Sequence, residues 1–337
     1  MKRWLIVDGY GHYVAKHSER IRVKKEGAII EEIPLIHLEA IHISSRGVSI
    51  SSDVIEICTE RGIDIFFTSG DGQIYGRLAS PTLIGTVKTR REQLMALMDS
   101  RGLEIGRAVA SAKLGNQRNL IQYFARYRKV TDKGLYELMT DRVKAIDALK
   151  GELIQLTGSG VEGLREKILN IEGRAAHFYW ETMKSLIGGD WEGRVGRGAK
   201  DPINSALNYG YGILYGQVEK AIVMAGLDPF AGFVHTDRSG KPSLVLDLIE
   251  EFRQMAIDKA VFSMIGKGTK IVVREDGLLD GGTRKGIANK VFERLDSAER
   301  YQGQRMKLKT IIMRQAQRMA SFIRKDIPNY KPFVGSW

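Results

Sequence analysis

The sequence predicts an α+β protein: an N-terminal β-sandwich-like domain over residues 1–80, followed by a larger all-α domain over residues 81–337. Three observations predict it. Short, alternating or apolar runs separated by Gly, Ser and Asp fill the first part, the pattern of strands and turns. Helical periodicity takes over after Ser80-Pro81. Charge divides in the same place: residues 1–80 hold 10 Lys/Arg against 11 Asp/Glu, leaving 42 against 29 for residues 81–337, so the parts carry −1 and +13 of the +12 total. A near-neutral structural or interaction domain and a second domain that meets a polyanion are therefore expected.

The strand-like pieces run in order as WLIVDG, HYVAKH, RIRVKK, AIIEEIP, AIHISS, VSIS, IDIFFTS and QIYGRL. SSDVIEICTERG interrupts them as one helix, with Ser52 or Asp53 at its N-cap and Gly62 at its end. His12, His17, His37 and His42 fall here; no zinc-like spacing joins them, and they read as surface or edge residues. Cys58 is the single cysteine, which excludes an intrachain disulfide framework and fits a reducing compartment. There is no signal-peptide pattern and no apolar run that spans a bilayer, so a soluble, cytoplasmic protein without a membrane role is expected.

Beyond residue 81 the helices are REQLMALMDS, GLEIGRAVASAKLGNQRNLIQYFARYR, LYELMTDRVKAIDALKGELIQL, residues 161–188, and PINSALNYGYGILYGQVEKAIVMAG. GGDWEGRVGRGAKDP lacks both a Walker lysine and GxGxxG spacing, and reads as a mobile surface loop. Arg300–Lys325 holds eight Lys/Arg and no acid, with Met306, Ile311, Ile312, Met319, Phe322 and Ile323 as an apolar face: a basic amphipathic helix suited to phosphates, through Arg314 and Arg318. A second basic tract includes Arg90, Arg107, Lys113, Arg118 and Arg126. Tyr123, Phe124 and Tyr127 interleave with it, either for base stacking or for core packing.

The chemistry concentrates in HTDRSGKPSLVLDLIEEF, His235 to Phe252. An imidazole precedes a Gly-Pro turn at 238–242, and Asp247 and Glu250 follow at helical spacing inside an apolar segment. Buried acids need compensation. A divalent metal with His235 as nitrogen ligand would supply it; a solvated helix face and a satisfied histidine are the bland alternatives. Glu172, among Ile168, Ile171, Ala175, Ala176 and Phe178, is the candidate third ligand, or a helix-surface acid paired with Arg174 or Lys167.

IEGRAAHFYW, RGAKDPINSALNYGYGILYG and GFVHTDRSGKPSLVLDLIEEFR occur in an order and at intervals that resemble the CRISPR-associated integrase, the larger member of the spacer-acquisition pair. The resemblance implies Glu172, His235 and Glu250 as metal ligands and Asp247 as an acid close to the metal. Two carboxylates and an imidazole suit Mn²⁺ or Mg²⁺. It further implies a catalytic site at Glu172, His235, Asp247 and Glu250. The reaction would be attack of a 3′-hydroxyl of short double-stranded DNA on a CRISPR repeat phosphodiester. The N-terminal domain would form a homodimer, and a small adaptation protein would be the partner. A branched-DNA nuclease outside adaptation and a non-catalytic DNA-binding scaffold remain the other readings.

Overall fold

The computed structural model describes residues 3–70, 72–78, 86–196, 198–235 and 240–336. The predicted boundary at Ser80-Pro81 lies outside them. The chain forms two compact units, Met1–Leu83 with Arg197–Gly216 and Ile271–Asn289, and Ile84–Gly196 with Gln217–Lys270 and Lys290–Trp337. The division is thus not the single cut near residue 80 that charge and periodicity draw. Two later segments join the N-terminal unit, for example through the ion pair of Arg284 with Asp8 at 2.8 Å.

The first unit holds two four-stranded sheets. One has the order β1 (Arg3–Val7), β5 (Leu38–Ile43), β7 (Asp64–Thr68), β8 (Ile74–Leu78); the other β4 (Ala28–Pro34), β3 (Arg20–Lys25), β2 (His12–His17), β6 (Ser49–Ile50). Alternation sets the buried face, as in β3, where Ile21 and Val23 are buried between Arg20, Arg22 and Lys24. Leu5, Val14, Ile33, Ile41, Ile65 and Cys58 share one core. Helix α1 (Ser52–Glu60) contributes Val54 and Cys58, and Ser51 takes the N-cap position, one residue before the expected pair. His42 and His12 are buried, not surface or edge residues, at 2 % and 8 % exposure. Position 42 falls on the inward-facing run of β5, where every residue from Ala40 to Ile43 is buried, so sequence alternation could not flag it.

The second unit is built on α3 (Ser100–Thr131), packed against α2 (Thr86–Leu97), α4 (Lys133–Ile154) and α5 (Arg165–Ile187). Asp99 caps α3 by accepting from Arg101 N–H at 2.9 Å, and Asp132 ends α3 and caps α4 through Leu135 N–H at 3.0 Å. Helix α6 (Pro202–Met224) follows. Short α7 (Ser243–Leu248) passes through a 3₁₀ turn, Ile249–Glu251, and a π turn, Gln254–Asp258, into α8 (Lys259–Gly266). Helix α9 (Gly281–Asp296) precedes the last helix, α10 (Leu308–Ile323).

Two expectations are corrected here. The second part of the chain is mostly helical, as expected, but Arg300–Lys307 does not extend the basic helix. It forms an antiparallel hairpin, β9 (Ala298–Tyr301) with β10 (Gln304–Lys307). Gln302 and Gly303, at φ 49° and 82°, make the two-residue turn whose twist suits a hairpin and cannot continue a right-handed helix. The Gly-rich segment after α5 is anchored in part: Trp191 is 6 % exposed, 6.5 Å from the Trp180 ring and 6.3 Å from that of Phe262. Among the described residues, no helix is long and apolar enough to cross a membrane.

Candidate metal centre

All the sequence-predicted candidates for metal binding lie in the second unit. On α5, Ile168, Ile171, Ala175 and Tyr179 mark the buried stripe, and Glu172 joins it at 8 % exposure. Glu172 is therefore no surface acid. Arg174, its suggested partner, pairs with Glu152 at 2.8 Å instead. Glu172 Oε1 is held by the Lys113 ammonium of α3.

The same ammonium reaches Glu250 Oε2 at 2.9 Å, and Arg253 Nε forms an ion pair with Glu250 Oε1 at 2.9 Å. Lys113 thus bridges the two carboxylates, with its side chain 14 % exposed. Burial pushes the Lys113 ammonium down, but the charges of Glu172 and Glu250 outweigh it and raise its pKa. Glu250 mirrors this: burial favours the acid, and Arg253 and Lys113 win, holding its carboxyl below the usual range.

Asp247 and Glu250 are both buried, at 0 % and 4 %, but they serve different partners. Asp247 turns back to the segment before the Gly-Pro turn. Its Oδ2 accepts from Phe233 N–H at 2.5 Å and Val234 N–H at 3.1 Å, and its Oδ1 from His235 N–H at 2.9 Å and the His235 imidazole Nδ1 at 2.7 Å. Gly232 permits this approach, because a Cβ there would stand 2.7 Å from the Ser243 carbonyl carbon. Residues 236–239 of the predicted turn lie outside the described residues.

Since an ionised carboxylate only accepts, the imidazole donates from Nδ1, leaving Nε2 as its lone-pair nitrogen when neutral. Burial lowers the His235 pKa, but the hydrogen bond and charge of Asp247, with Glu250 and Glu172 beyond, raise it overall. The influence of all three acids on one imidazole ties Glu172, His235 and Glu250 into one electrostatic neighbourhood. Among the described residues, no three His, Cys, Asp or Glu side chains stand gathered as a finished metal cage; two of the three candidate donors share Lys113. The donor chemistry nonetheless fits a divalent cation: two buried carboxylates already gathered on one positive charge, and an imidazole fixed by a carboxylate on its other nitrogen.

Sequence reasoning missed Lys113, Arg253 and Glu251. Lys113 counts among the basic tract by composition, yet it lies on a buried stripe of α3 with Val109, Asn116 and Leu120; a lysine at an apolar-phase position was the available signal. Glu251 is fully buried, pushed up to about 7 by burial against hydrogen bonds from Phe333 N–H, Tyr330 and Gln315. It ties down the C-terminal segment, whose Phe333 stacks on Phe252 at 5.6 Å. Asn116 completes the tie, donating to Glu251 and Phe333 carbonyls and accepting from Gly335 N–H. His177 is exposed on α5. Of the aromatics on α3, Tyr123 lies under the Lys259 ammonium at 4.8 Å and Phe124 packs edge-on to Phe262, while Tyr127 is 65 % exposed. Arg314 is exposed on α10 and Arg318 half-buried.

Residues 5–290 match the family described as CRISPR associated protein Cas1. A relative from Archaeoglobus fulgidus, named CRISPR-associated endonuclease Cas1 1, is 35 % identical over 348 aligned residues, covering 99 % of each chain. Among solved structures, a casposase bound to integration product superposes with a TM-score of 0.83 at 22 % identity, over 98 % of this chain and 93 % of that one. A chain of a Cas6-RT-Cas1–Cas2 complex gives 0.77 at 18 %, over 98 % of this chain and 36 % of that longer one. The chain belongs to the Cas1 family, the larger subunit of the Cas1–Cas2 adaptation pair.

Proposed function

We propose that this protein is a metal-dependent DNA endonuclease and integrase that joins short duplex DNA to a CRISPR repeat by transesterification. The observation that carries the reading is the convergence of buried Glu172 and Glu250 on one cation beside an imidazole that Asp247 orients. Relatives named as endonucleases, and a casposase captured with its integration product, support it.

In this reading Glu172, His235 and Glu250 hold Mn²⁺ or Mg²⁺. Such an ion polarises a phosphodiester and lowers the pKa of an attacking hydroxyl. The chain's own groups do the rest. Asp247 fixes the ring of His235 and satisfies three backbone N–H groups, so the ligand set is ordered before any ion arrives. Burial of Asp247 and Glu250 keeps water from competing for their oxygens. The basic balance of residues 81–337 attracts the duplex through its phosphates. A small Cas2-like protein is the expected partner, given the assembly named for a structural relative, and a cytoplasmic location accords with this role.

The decisive experiment is strand transfer of a labelled duplex with free 3′-hydroxyls into a supercoiled repeat plasmid. Joined product is expected with Mn²⁺ and none with a chelator or with His235→Ala. Full activity of His235→Ala would remove this site from consideration.

A further inference from the structure

We propose that Lys113 is a built-in counter-cation of the Glu172–Glu250 pair, which holds the carboxylates together in the metal-free protein and weakens their hold on a divalent ion. This rests on the reading of Glu172 and Glu250 as metal ligands.

The charges make the case. Two buried carboxylates that approach one point repel each other, and neither has bulk water to relieve it. The Lys113 ammonium contacts both, and Arg253 contacts the second oxygen of Glu250. Two negative charges therefore face two positive ones, and the metal-free carboxylate pair is balanced. A lysine set to meet DNA would keep its ammonium in solvent. Lys113 instead has a side chain 14 % exposed and spends its ammonium on two acids within the unit, so its place in the basic tract of the sequence is not its role.

An arriving divalent ion competes for the same oxygens. Either it displaces the ammonium, costing Lys113 both ion pairs, or it stands beside it against Coulomb repulsion at low effective dielectric. Both routes weaken metal binding relative to a site without the lysine. Lys113 thus tunes the site: it preserves the geometry of the carboxylates and sets the ion concentration at which they load.

The test is Mn²⁺ affinity of metal-free protein, measured by calorimetry without DNA, for wild type, Lys113→Gln and Glu250→Ala, with circular dichroism confirming the fold. Lys113→Gln should bind Mn²⁺ at least about tenfold more tightly than wild type, as loss of a nearby buried like charge requires. Its metal-free form should melt at a lower temperature, and saturating Mn²⁺ should raise its melting temperature by more than it raises that of wild type. Equal or weaker Mn²⁺ affinity in folded Lys113→Gln overturns the proposal while leaving the metal centre intact. Absence of binding in wild type and Lys113→Gln alike overturns the metal reading and this inference together.

Should Lys113→Gln fail to fold, wild type itself decides. The ¹⁵N resonance of the Lys113 side chain should shift on Mg²⁺ titration, saturating with the bound ion. A resonance that stays fixed while Mg²⁺ binds overturns the proposal.

Discussion

His235 gives Asp247 two hydrogen bonds, one from its backbone N–H at 2.9 Å and one from imidazole Nδ1 at 2.7 Å. With the N–H groups of Phe233 and Val234, the carboxylate organises three consecutive residues. Asp247, Phe233 and Val234 are buried, so the backbone donors there have no water to fall back on. Asp247→Asn turns an amide NH₂ toward N–H donors and leaves at least one buried donor unmatched, a cost of about 1–3 kcal/mol. A lower melting temperature and strand-transfer activity reduced about 10–100-fold are expected, with Glu250→Ala losing more. Thermal melts and strand-transfer rates on both variants check this; a loss as complete as that of Glu250→Ala would place Asp247 among the ligands.

His42 sets a pH limit on the first unit. It is buried on β5, its Nε2 lies 3.1 Å from Thr68 Oγ1, and burial lowers its pKa from 6.5 to about 4, slightly offset by Asp8. Above pH 6.5 the ring is neutral in both folded and unfolded chains, and no stability is lost. Between about 6.5 and 4 the unfolded chain takes the proton and the folded one does not. Stability therefore falls with pH across that window, by about 3 kcal/mol from this group alone. His42→Gln cannot titrate there. Melting temperatures measured from pH 4 to 7 should show a shallower acid slope for His42→Gln than for wild type; parallel slopes would remove His42 as the cause.

The strands and most helices are legible because each repeats a period the eye can follow: Ile21 and Val23 alternate with basic residues, and α5 keeps its apolar stripe. The hairpin at Arg300–Lys307 escapes because Met306 extends the apolar phase of α10 by chance, and the Gln302-Gly303 turn carries the contrary signal. At the site, acids within apolar phase betray Glu172, Asp247 and Glu250. What spacing cannot tell is the partner. Asp247 and Glu250 look equivalent three residues apart, yet the first folds back onto His235 and the second faces Lys113, 137 positions earlier in the chain (250 − 113). Likewise a lysine in a basic tract and a lysine bridging two carboxylates are the same letter until α3 is packed.

Residues 1–80 are proposed to mediate homodimerisation, and β4 is the strand on which to test it. It is an edge of its sheet, and Ile29 and Ile30 are 49 % and 53 % exposed. An edge strand with two adjacent exposed apolar side chains favours contact with a second copy. Ile30→Lys should shift the full chain from dimer toward monomer in sedimentation velocity, with its melting profile retained because the side chain packs against no core. A dimer of undiminished stability in Ile30→Lys would move the interface away from β4.

Duplex binding through α10 is the last expectation, and the structure sharpens which arginine carries it. Arg314 is exposed, whereas Arg318 is half-buried with its Nε shielded and without a hydrogen-bond partner among the described residues. Replacing Arg318 therefore disturbs packing near Tyr301 and confounds a binding measurement, while Arg314→Ala removes one solvent-facing guanidinium; Lys309, on the first turn, is already paired with Asp296 at 3.0 Å. Each phosphate contact releases condensed counterions, giving a log–log salt slope of about −0.9 per contact. Arg314→Ala should weaken binding to unrelated duplexes by similar factors and make the slope shallower by about 0.9, with metal affinity unchanged because the carboxylate pair is untouched. Fluorescence anisotropy across a salt series on two unrelated sequences reads both quantities. An unchanged slope with unchanged affinity would take α10 off the DNA path, and a loss confined to one sequence would mean that Arg314 reads bases rather than phosphates.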